Sequence, residues 1–341
     1  MPTIKDVAKE ANVSIATVSL VLHKHNRISA LTSQRVNKAI KKLNYHPSRS
    51  ARGLVSRKTG NIGFILTDDH FLRSEPFYTR IFLGTEFEAR KYEYYILLTT
   101  IPADYNIKDR IPRFILEKNI DGIIIAGKVP PAIITQVEKY KLPLAFVDYY
   151  IPACDYPVVL IDNVSGGMKA AQYLIQNKHK NIGFVAGDIS HPSLSDRFLG
   201  FKTAIENAGL PYSELNYVVD EDYTARENGF NAAKKLLAQN NKITAIFACN
   251  DAMAIGVMQF LKENGYSVPN DISVIGFDDV EADLSFDPPL STISVPKHEM
   301  GIEVLRLMAD MLKNEKSTKK KILVPVELVE RNSVCELKTK K

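Results

Sequence analysis

The stretch "TIKDVAKEANVSIATVS", residues 3–19, carries the signals for two short helices with a tight turn between them. Thr3 and Asp6 fit a capping box, in which each side chain accepts a hydrogen bond from the other residue's backbone amide. Asn12 stands where the chain must turn, and asparagine tolerates the left-handed backbone conformation better than most residues. Ser14 is a suitable N-cap for the second helix. The pattern therefore predicts helix, turn and helix.

A third helix is predicted from Ala30 to Leu43, with Ser29 as its N-cap. Three short helices with a tight turn between the first two form a helix-turn-helix, and its second helix enters the major groove of DNA. Val18, Val21 and Leu22 already supply the packing face of that second helix. Its remaining side chains can therefore face DNA, although a small helical subdomain on an enzyme is the alternative interpretation.

The charge of the chain is concentrated at its N-terminal end. Residues 1–58 contain seven Lys and five Arg but only Asp6 and Glu10 as acids, a net charge of +10 in a chain whose total is +5. The remaining residues therefore carry −5. A basic head on an acidic body favours a polyanionic partner for the head, although a solvated basic face is also possible.

Several classes of protein are disfavoured by composition. Cys154, Cys249 and Cys335 lie far apart and form no CxxC pattern, which indicates neither a disulfide framework nor a zinc site. The N-terminus lacks the apolar stretch of a secretory signal, and no apolar run approaches the about 18 residues of a membrane span. We therefore expect a cytoplasmic protein without a metal or a cofactor.

From Asn61 onward, short β-branched runs alternate with amphipathic helical stretches, which is typical of βαβ units and parallel sheets. NIGFILTD at 61–68 resembles NIGFVAGD at 181–188, which predicts an α/β core of two similar lobes. Ligands bind such folds at the carboxyl ends of the strands. The predicted strands are 61–68, 94–100, 121–127, 143–150, 181–188, 216–222, 244–251 and 271–279.

Polar side chains stand at or just after the ends of these strands. Asp148, Asn250, Asp278 and Arg197 lie at predicted strand ends or just after them, and Tyr223 follows a fifth strand. Carboxylates accept hydrogen bonds from sugar hydroxyls, whereas amide and guanidinium groups donate, so together they suit a hydroxyl-rich ligand. Each residue alone could equally cap a loop. As a set they favour a small-molecule site.

Signs of catalysis are weak. NVSGGMKAA at 163–171 has adjacent glycines that weakly suggest a phosphate loop, but it lacks GxGxxG and the P-loop ending, and Gly166-Gly167 could simply open a helix. The chain has no GxSxG elbow and no HExxH motif. We therefore expect a binding protein and not an enzyme. A solute-binding transport protein and a sugar-modifying enzyme with the same core are the alternatives.

The head motif continues as IS..T..RV..AI..LNY.P and AR.L, and in this it resembles the LacI/GalR family of bacterial transcription repressors, whose core is similar to a periplasmic sugar-binding protein. The resemblance implies a homodimer on a pseudo-palindromic DNA operator, controlled by a sugar, sugar phosphate or purine. The implied divisions are a helix-turn-helix head at 1–46, a hinge helix at 47–58 and a core at 59–341, with an N-lobe of 59–161 plus 291–320 and a C-lobe of 162–290 plus 321–341.

The resemblance also assigns roles to individual residues. In the hinge, Leu54 is expected to enter the minor groove as a wedge, which kinks the duplex. Implied DNA contacts are Ser14, Thr17 and Ser19 to phosphates or to phosphates and bases together, Ile15, Ala16 and Leu20 to bases, and additionally Thr3, His23, Thr32, Tyr45, Ala51 and Leu54. Implied effector contacts are Arg197, Asn250 and Asp278, with Phe77, Tyr78, Asp148 and Tyr223 lining the same cleft.

Two positions of the second helix depart from the family. Leu20 stands where the family usually has Arg, and His23 where it usually has Asn. Arg reads guanine with two hydrogen bonds, worth about 1–3 kcal/mol of discrimination, whereas Leu can only pack on a thymine methyl group. We therefore expect an operator that lacks the usual guanine at this step.

The resemblance finally implies how the protein is controlled. Effector binding is expected to close the cleft, to move the two N-lobes of the dimer and so to change DNA affinity, and this coupling must be reciprocal. The segment RNSVCELKTKK lacks the apolar heptads of a tetramerisation tail, which favours a dimer. Lys297 is expected in a loop that reaches the cleft, where its charge would favour an anionic ligand.

Overall fold

The computed structural model describes residues 2–22, 28–45, 58–72, 76–152, 154–211, 213–221, 223–313 and 320–338. The chain divides into two compact units, Met1–Gly60 and Asn61–Lys341. We refer to them as the head and the core, and each is described by itself.

The head contains the three expected helices, and local side-chain caps set their starts. They are α1 (Ile4–Glu10), α2 (Ile15–Leu22) and α3 (Ala30–Lys42). Helix α3 ends one residue before the predicted end, because Leu43 is its C-cap.

The predicted capping box of α1 is confirmed. The Thr3 amide and the Thr3 hydroxyl both donate to the Asp6 carboxylate at 2.7 Å, and the Asp6 amide donates to Thr3 Oγ1 at 3.4 Å. Asn12 has the expected positive φ of 51° in the turn. The N-caps of α2 and α3 are also confirmed, since Ser14 accepts from the Thr17 amide at 3.1 Å and Ser29 accepts from Thr32.

A small apolar core holds the three head helices together. Val7, Val18 and Val36, one from each helix, are fully buried, so the helices meet at β-branched side chains. Helices α1 and α3 are also joined at the surface by an ion pair of 2.7 Å between Lys42 Nζ and Glu10 Oε1. Such an exposed pair contributes at most about 1 kcal/mol, so apolar burial is the larger contribution.

The core is built on two parallel sheets and one antiparallel pair of strands. The strands are β1 (Asn61–Thr67), β2 (Tyr95–Ile101), β3 (Gly122–Ala126), β4 (Leu144–Val147), β5 (Val158–Ile161), β6 (Ile182–Gly187), β7 (Tyr217–Glu221), β8 (Ala245–Ala248), β9 (Ser273–Ile275), β10 (Thr292–Ser294), β11 (Lys321–Val324) and β12 (Glu327–Val329). The first sheet has the order β11-β5-β4-β3-β1-β2, the second has the order β7-β6-β8-β9, and β10 pairs with β12. The second sheet thus repeats the order β2-β1-β3-β4 found in the first.

Helices cover both sheets, as the alternating pattern predicts. The helices of the core are α4 (Asp68–Leu72), α5 (Phe77–Lys91), α6 (Arg113–Leu116), α7 (Pro131–Glu138), α8 (Asn163–Gln176), α9 (Pro192–Asn207), α10 (Arg226–Gln239), α11 (Asp251–Glu263) and α12 (Lys297–Lys313), with short 3-10 turns at Glu214–Asn216 and Glu281–Ser285. The close helix pairs are α5 with α12, α8 with α9, and α10 with α11.

All eight predicted strands are present, but four short ones were not predicted. Strands β5, β10, β11 and β12 have three or four residues each, as the predicted strands β4, β8 and β9 also do, so length alone does not separate the two groups. The adjacent glycines 166 and 167 lie inside α8 and do not form a phosphate loop. Gly167 instead lets α9 approach, since a Cβ there would lie 2.2 Å from the Arg197 carbonyl oxygen.

The expected lobe boundaries are wrong at two crossings of the chain. Strand β11 pairs with β5 in the first sheet, so residues 321–324 belong to the N-lobe and not to the C-lobe. Ser291, the residue before β10, bridges to Ile275, and Ser294 in β10 bridges to Asp278, so residues 291–294 lie beside the second sheet. The pairing of backbone strands decides to which lobe each of these two segments belongs. The periodicity of apolar residues in the sequence carries no information about strand pairing. None of the described helices is long and apolar enough to span a membrane.

Candidate functional site

One face of helix α2 does not pack into the head core, and it carries both polar and apolar side chains. Ser14, Ile15 and Ala16 are exposed at its N-terminal end, while Val18 and Val21 are buried on the other side. The Ser14 and Thr17 hydroxyls lie 2.9 Å apart in a hydrogen bond, so they form one polar patch. Ser19 and Leu20 are half-buried further along α2.

The other predicted DNA contacts of the head have different surroundings. Thr3 and Thr32 are both at helix N-termini, where Thr3 caps α1 and the Thr32 hydroxyl is bonded to Ser29 at 2.9 Å. Tyr45 is buried in the head core, which gives its ring a packing role in addition to any contact through its hydroxyl. His23, Ala51 and Leu54 lie outside the described residues, and so does most of the predicted hinge helix.

In the core, Arg197 is the centre of a buried polar cluster. Its Nε donates to Asn163 Oδ1 at 2.8 Å and its Nη1 donates to the Cys249 carbonyl at 2.6 Å. Its Nη2 lies 3.5 Å from Asp278 Oδ1. The guanidinium carbon also lies 3.8 Å from the centre of the Phe277 ring. Helix α9 thus supplies one cation that joins the beginning of α8 to the ends of β8 and β9.

Asn250 follows β8 and is fixed by two bonds. Its Oδ1 accepts from the Met253 amide at 2.8 Å, which caps α11, and its Nδ2 donates to the Thr224 carbonyl at 3.0 Å. One bond uses the amide oxygen as an acceptor, and the other uses the amide nitrogen as a donor. Each atom retains a further site for hydrogen bonding to a ligand.

The N-lobe side of the site is built around Tyr78 and Asp148. The buried Tyr78 hydroxyl donates to Asp148 Oδ2 at 2.8 Å, which joins the start of α5 to the end of β4. The His70 ring stacks on Tyr78 with centroids 4.6 Å apart. Asp148 has φ of 63°, a left-handed conformation that aspartate adopts more readily than most residues. This wall therefore offers an aromatic surface beside a carboxylate.

Lys297 does not have the role expected for it. It opens α12, and its ammonium donates to the carbonyl oxygens of Asp278, of Asp279 at 3.2 Å and of Val295 at 3.3 Å. It also lies 5.7 Å from the centre of the Phe77 ring. The Lys297 ammonium group therefore joins the start of α12 to the segment after β9 and to the start of α5. It is not an uncommitted cation for an anionic ligand.

Tyr223 does not join the other predicted effector residues. Its side chain is 68% exposed, and within the described part of the chain no hydrogen bond or ring contact joins it to the cluster. The structure does bring Arg197 together with Asp278, and Tyr78 together with Asp148. Among the described residues, no group of three or more His, Cys, Asp or Glu side chains could hold a metal ion.

Four residues that sequence reasoning missed complete the two clusters. Asn163 and Phe277 contact Arg197, His70 stacks on Tyr78, and Gly127 lies beside both of these rings. Asn163 and Phe277 adjoin strand ends, so a wider search of strand ends could have found them. His70 and Gly127 carry no sequence signal of their own.

Gly127 sets the position of the Tyr78 hydroxyl. Its φ is +72°, and a Cβ there would lie 2.6 Å from Tyr78 Oη and 2.7 Å from His70 Nδ1. We expect Gly127→Ala to lower the free energy of unfolding by about 2–3 kcal/mol, because backbone strain adds to a clash. Gly209→Ala is the matched control, since Gly209 has φ of +64° and no atom within 4 Å of the added Cβ.

The measurement is denaturant unfolding followed by circular dichroism. Gly209→Ala should show the backbone strain alone, about 1 kcal/mol. In a Tyr78→Phe background the cost of Gly127→Ala should fall, because the displaced hydroxyl is already gone. Equal costs for the two glycine variants would contradict the clash.

Comparison with known proteins agrees with this architecture. Residues 3–48 match the model of bacterial regulatory proteins, lacI family, and residues 171–334 match the periplasmic binding protein-like domain. Catabolite control protein A of Priestia megaterium is 34% identical over 315 residues, which cover 92% of this chain and 93% of that protein. The transcriptional repressor PurR of Pasteurella multocida (strain Pm70) is 34% identical over 338 residues, 98% of this chain and 99% of that protein.

Solved structures have the same fold. A complex of the transcriptional regulator CelR with cellobiose has a TM-score of 0.75 and 26% identity, covering 98% of this chain and 100% of that one. The lac repressor dimer bound to operator has a TM-score of 0.78 and 23% identity, covering 98% and 99%. The relatives match the head and the core together, at more than nine-tenths of their length. The chain therefore belongs to the lacI family of bacterial regulatory proteins and is a DNA-binding transcriptional regulator.

Proposed function

We propose that this protein is a cytoplasmic, homodimeric repressor whose operator affinity is controlled by a small neutral sugar bound in the core. One observation carries the proposal: a single chain joins a helix-turn-helix with an exposed α2 face to a core in which polar side chains cluster at strand ends. Two-fold symmetry of a dimer matches two half-sites of a pseudo-palindromic operator.

In the head, α2 is the proposed major-groove helix. The Ser14, Thr17 and Ser19 hydroxyls, with Thr3 and Thr32 at helix N-termini, suit phosphate oxygens, and such contacts fix the register on DNA. Base contacts then fall to the side chains of Ile15, Ala16 and Leu20. The proposed wedge at Leu54 and the contacts of His23, Tyr45 and Ala51 complete the set of DNA-binding residues.

The charges of the cleft favour a neutral effector over a phosphorylated one. Arg197 is paired with Asp278, and Lys297 is bonded to backbone carbonyls, so neither cation lacks a partner. The Asp148 carboxylate would repel a phosphate group, whereas it can accept hydrogen bonds from hydroxyls. Phe77, which is half-buried and lies edge-on to the buried Tyr78 ring, offers the aromatic surface on which a sugar ring can stack. The CelR relative is in complex with a neutral sugar, cellobiose.

A thermal-shift screen tests the effector class. Neutral sugars, including cellobiose and ribose, should raise the melting temperature of the full chain, and their phosphate esters should raise it less at equal concentration. The best ligand should then change operator affinity in a fluorescence anisotropy titration, in proportion to its preference for one state. A phosphate ester that binds more tightly than its parent sugar would contradict the neutral site.

The proposal that the core binds its ligand without chemical change has its own test. Two cleft carboxylates could act as acids or bases, and both are engaged within the protein. Asp148 accepts a hydrogen bond from the Tyr78 hydroxyl, and Asp278 is paired with Arg197. The ligand found in the screen should therefore be recovered unaltered after long incubation, as judged by NMR. A new product would instead favour a sugar-modifying enzyme.

The residue at position 20 provides a prediction for DNA specificity. We expect binding-site selection with the native protein to recover operators without a strongly preferred guanine at the base facing Leu20. Leu20→Arg should create that preference, at about 1–3 kcal/mol, because Arg can form two hydrogen bonds to guanine. Leu20→Met is the control and should leave the selected sequence unchanged. Strong recovery of the guanine by the native protein would overturn the prediction.

A further inference from the structure

The N-lobe contains a second cavity that shares no lining residue with the cleft clusters. It has a volume of about 160 Å³ and lies beneath the segment that follows β4, against the starts of β5 and β11. Val158 and Lys321 begin these two strands, whereas Asp148 follows the end of β4. We call this cavity the edge pocket, since β11 is the edge strand of the first sheet.

The inner surface of the edge pocket is apolar and aromatic. Phe146 and Val158 are buried, and the Tyr156 ring lies 5.1 Å from the Phe146 ring at a tilt of 48°. The Tyr156 hydroxyl donates to Glu138, and burial together with this carboxylate raises the pKa of Tyr156 to about 12. The phenol therefore stays neutral and its proton is already engaged, so the wall presents ring surface.

The rim of the edge pocket is positively charged. Lys320 and Lys321 both line it and are both exposed, against one lining carboxylate, Asp155. Lys321 Nζ lies 4.9 Å from the centre of the Tyr150 ring, and its charge acts on the Asp196 carboxyl, whose pKa burial raises and Lys321 lowers. No ion pair within 4.0 Å joins Lys321 to a carboxylate of the described residues. Lys320 Nζ is 4.0 Å from Asp310 Oδ2, the outer limit of an ion pair. The two ammonium groups can therefore accept an anion.

The volume of the edge pocket indicates how large a ligand it can hold. A cavity of about 150 Å³ lined by apolar side chains is known to hold one benzene molecule in another protein, and the edge pocket has a similar size. A six-membered aromatic ring can thus occupy the apolar interior between Phe146 and Ile151. A carboxylate on that ring would reach the lysine rim, where charge-assisted hydrogen bonds form.

We propose that the edge pocket binds a small aromatic monocarboxylate, with its ring against Phe146 and Tyr156 and its carboxylate at Lys320 and Lys321. This site is a second ligand site, separate from the effector cleft, and it does not depend on the proposed sugar effector. Both parts of the ligand contribute to binding. A ring without a charge makes no ion pair with the lysines, and an anion without a ring leaves the apolar wall exposed to water.

Direct binding to the full chain tests the proposal. The probe is 4-fluorobenzoate, titrated by ¹⁹F NMR, and saturable binding is expected. Acetate, which lacks the ring, and benzamide, which lacks the charge, should each compete at least tenfold more weakly than benzoate. No saturable binding of 4-fluorobenzoate, or competition by benzamide equal to that of benzoate, overturns the proposal.

Two further measurements locate the bound probe. Lys320→Gln with Lys321→Gln should weaken binding at least tenfold, whereas the matched pair Lys234→Gln with Lys262→Gln, two exposed lysines of the C-lobe, should not change it. Cys154 lines the edge pocket and is exposed, so benzoate should slow its alkylation by iodoacetamide at least threefold. An unchanged affinity in the first pair, or an unchanged alkylation rate, shows that the probe binds elsewhere and overturns the assignment.

Discussion

Arg197→Leu is expected to lower the free energy of unfolding of the core by about 3–5 kcal/mol, which is the cost of leaving one partner of a buried ion pair without the other. The Arg197 side chain is 6% exposed and that of Asp278 is 15% exposed, so water cannot fully replace the lost interaction. The Asn163 amide oxygen and the Cys249 carbonyl also lose their donors. Because the chain contains no Trp, far-UV circular dichroism in urea is the suitable measurement.

A double-mutant cycle identifies the cause of this loss. In an Asp278→Asn background, Arg197→Leu should cost at least 1 kcal/mol less, because the uncompensated carboxylate is no longer present. Lys202→Gln, on the same helix α9, is the control and should change stability by less than about 0.5 kcal/mol. The same cost in both backgrounds would mean that hydrogen bonds to Asn163 and Cys249, and not the charge of Asp278, determine the effect.

Arg197→Leu also distinguishes an effect on ligand binding from an effect on folding. Since Arg197 belongs to the proposed effector site, the variant should also lose the thermal stabilisation by sugar that the native chain shows. Its head is a separate compact unit, so operator binding at low temperature should persist. A variant that keeps the native response to sugar would remove Arg197 from the effector site, whatever its stability.

Gly200→Ala is expected to destabilise the C-lobe by about 3 kcal/mol, at the upper end of the range for overpacking. A Cβ at Gly200 would lie 2.1 Å from the Val164 carbonyl oxygen and 2.8 Å from the Met168 amide nitrogen. Both atoms are helix backbone, so helices α8 and α9 would have to separate. In an uncrowded helix the same change stabilises by up to about 1 kcal/mol, so the sign of the effect is diagnostic.

An exposed position on the same helix provides the control. Ser195→Ala in α9 should stay within about 0.5 kcal/mol of the native stability, by urea unfolding. Stabilisation by Gly200→Ala would show that α8 and α9 are less closely packed than the structure has them.

Reciprocal glycines recur in every close helix pair of the core. Gly84 faces the His298 carbonyl while Gly301 faces the Ile81 carbonyl, with would-be Cβ distances of 2.0 Å in both directions. Gly229 and Gly256 join α10 to α11 in the same manner. The spacing of these helices therefore depends on glycines, which sequence patterns treat only as weak helix formers.

The three head helices within the described residues could be predicted almost completely, because their signals act between residues close in the chain. The bond from Thr3 to Asp6, the left-handed turn at Asn12 and the caps at Ser14 and Ser29 each span three residues or fewer. Likewise, eight strands of the core were predicted because each lies within a longer apolar run of the sequence. The four missed strands are three or four residues long, as β4, β8 and β9 also are, and their pairing with distant segments is decided only in the sheets.

The candidate site could be predicted in part. The rule that ligands bind at the carboxyl ends of parallel strands pointed to Asp148, Asn250, Asp278, Arg197 and Tyr223, and the family resemblance added Phe77 and Tyr78. It could not reveal that Lys297 is bonded to backbone carbonyls or that Tyr223 is exposed. Those facts depend on the path of loops, which short-range patterns do not specify.

The sequence by itself determined the helix-turn-helix, the alternating α/β core and the residues at its strand ends, since capping and hydrophobic periodicity act over one or two turns of chain. Only the tertiary structure decided the partners of those residues: Tyr78 with Asp148 across 70 residues, and Arg197 with Asp278 across the second sheet. It also decided that β11 closes the first sheet. Such pairings arise where distant segments meet in one packed interior, and their energies depend on burial that no local pattern encodes.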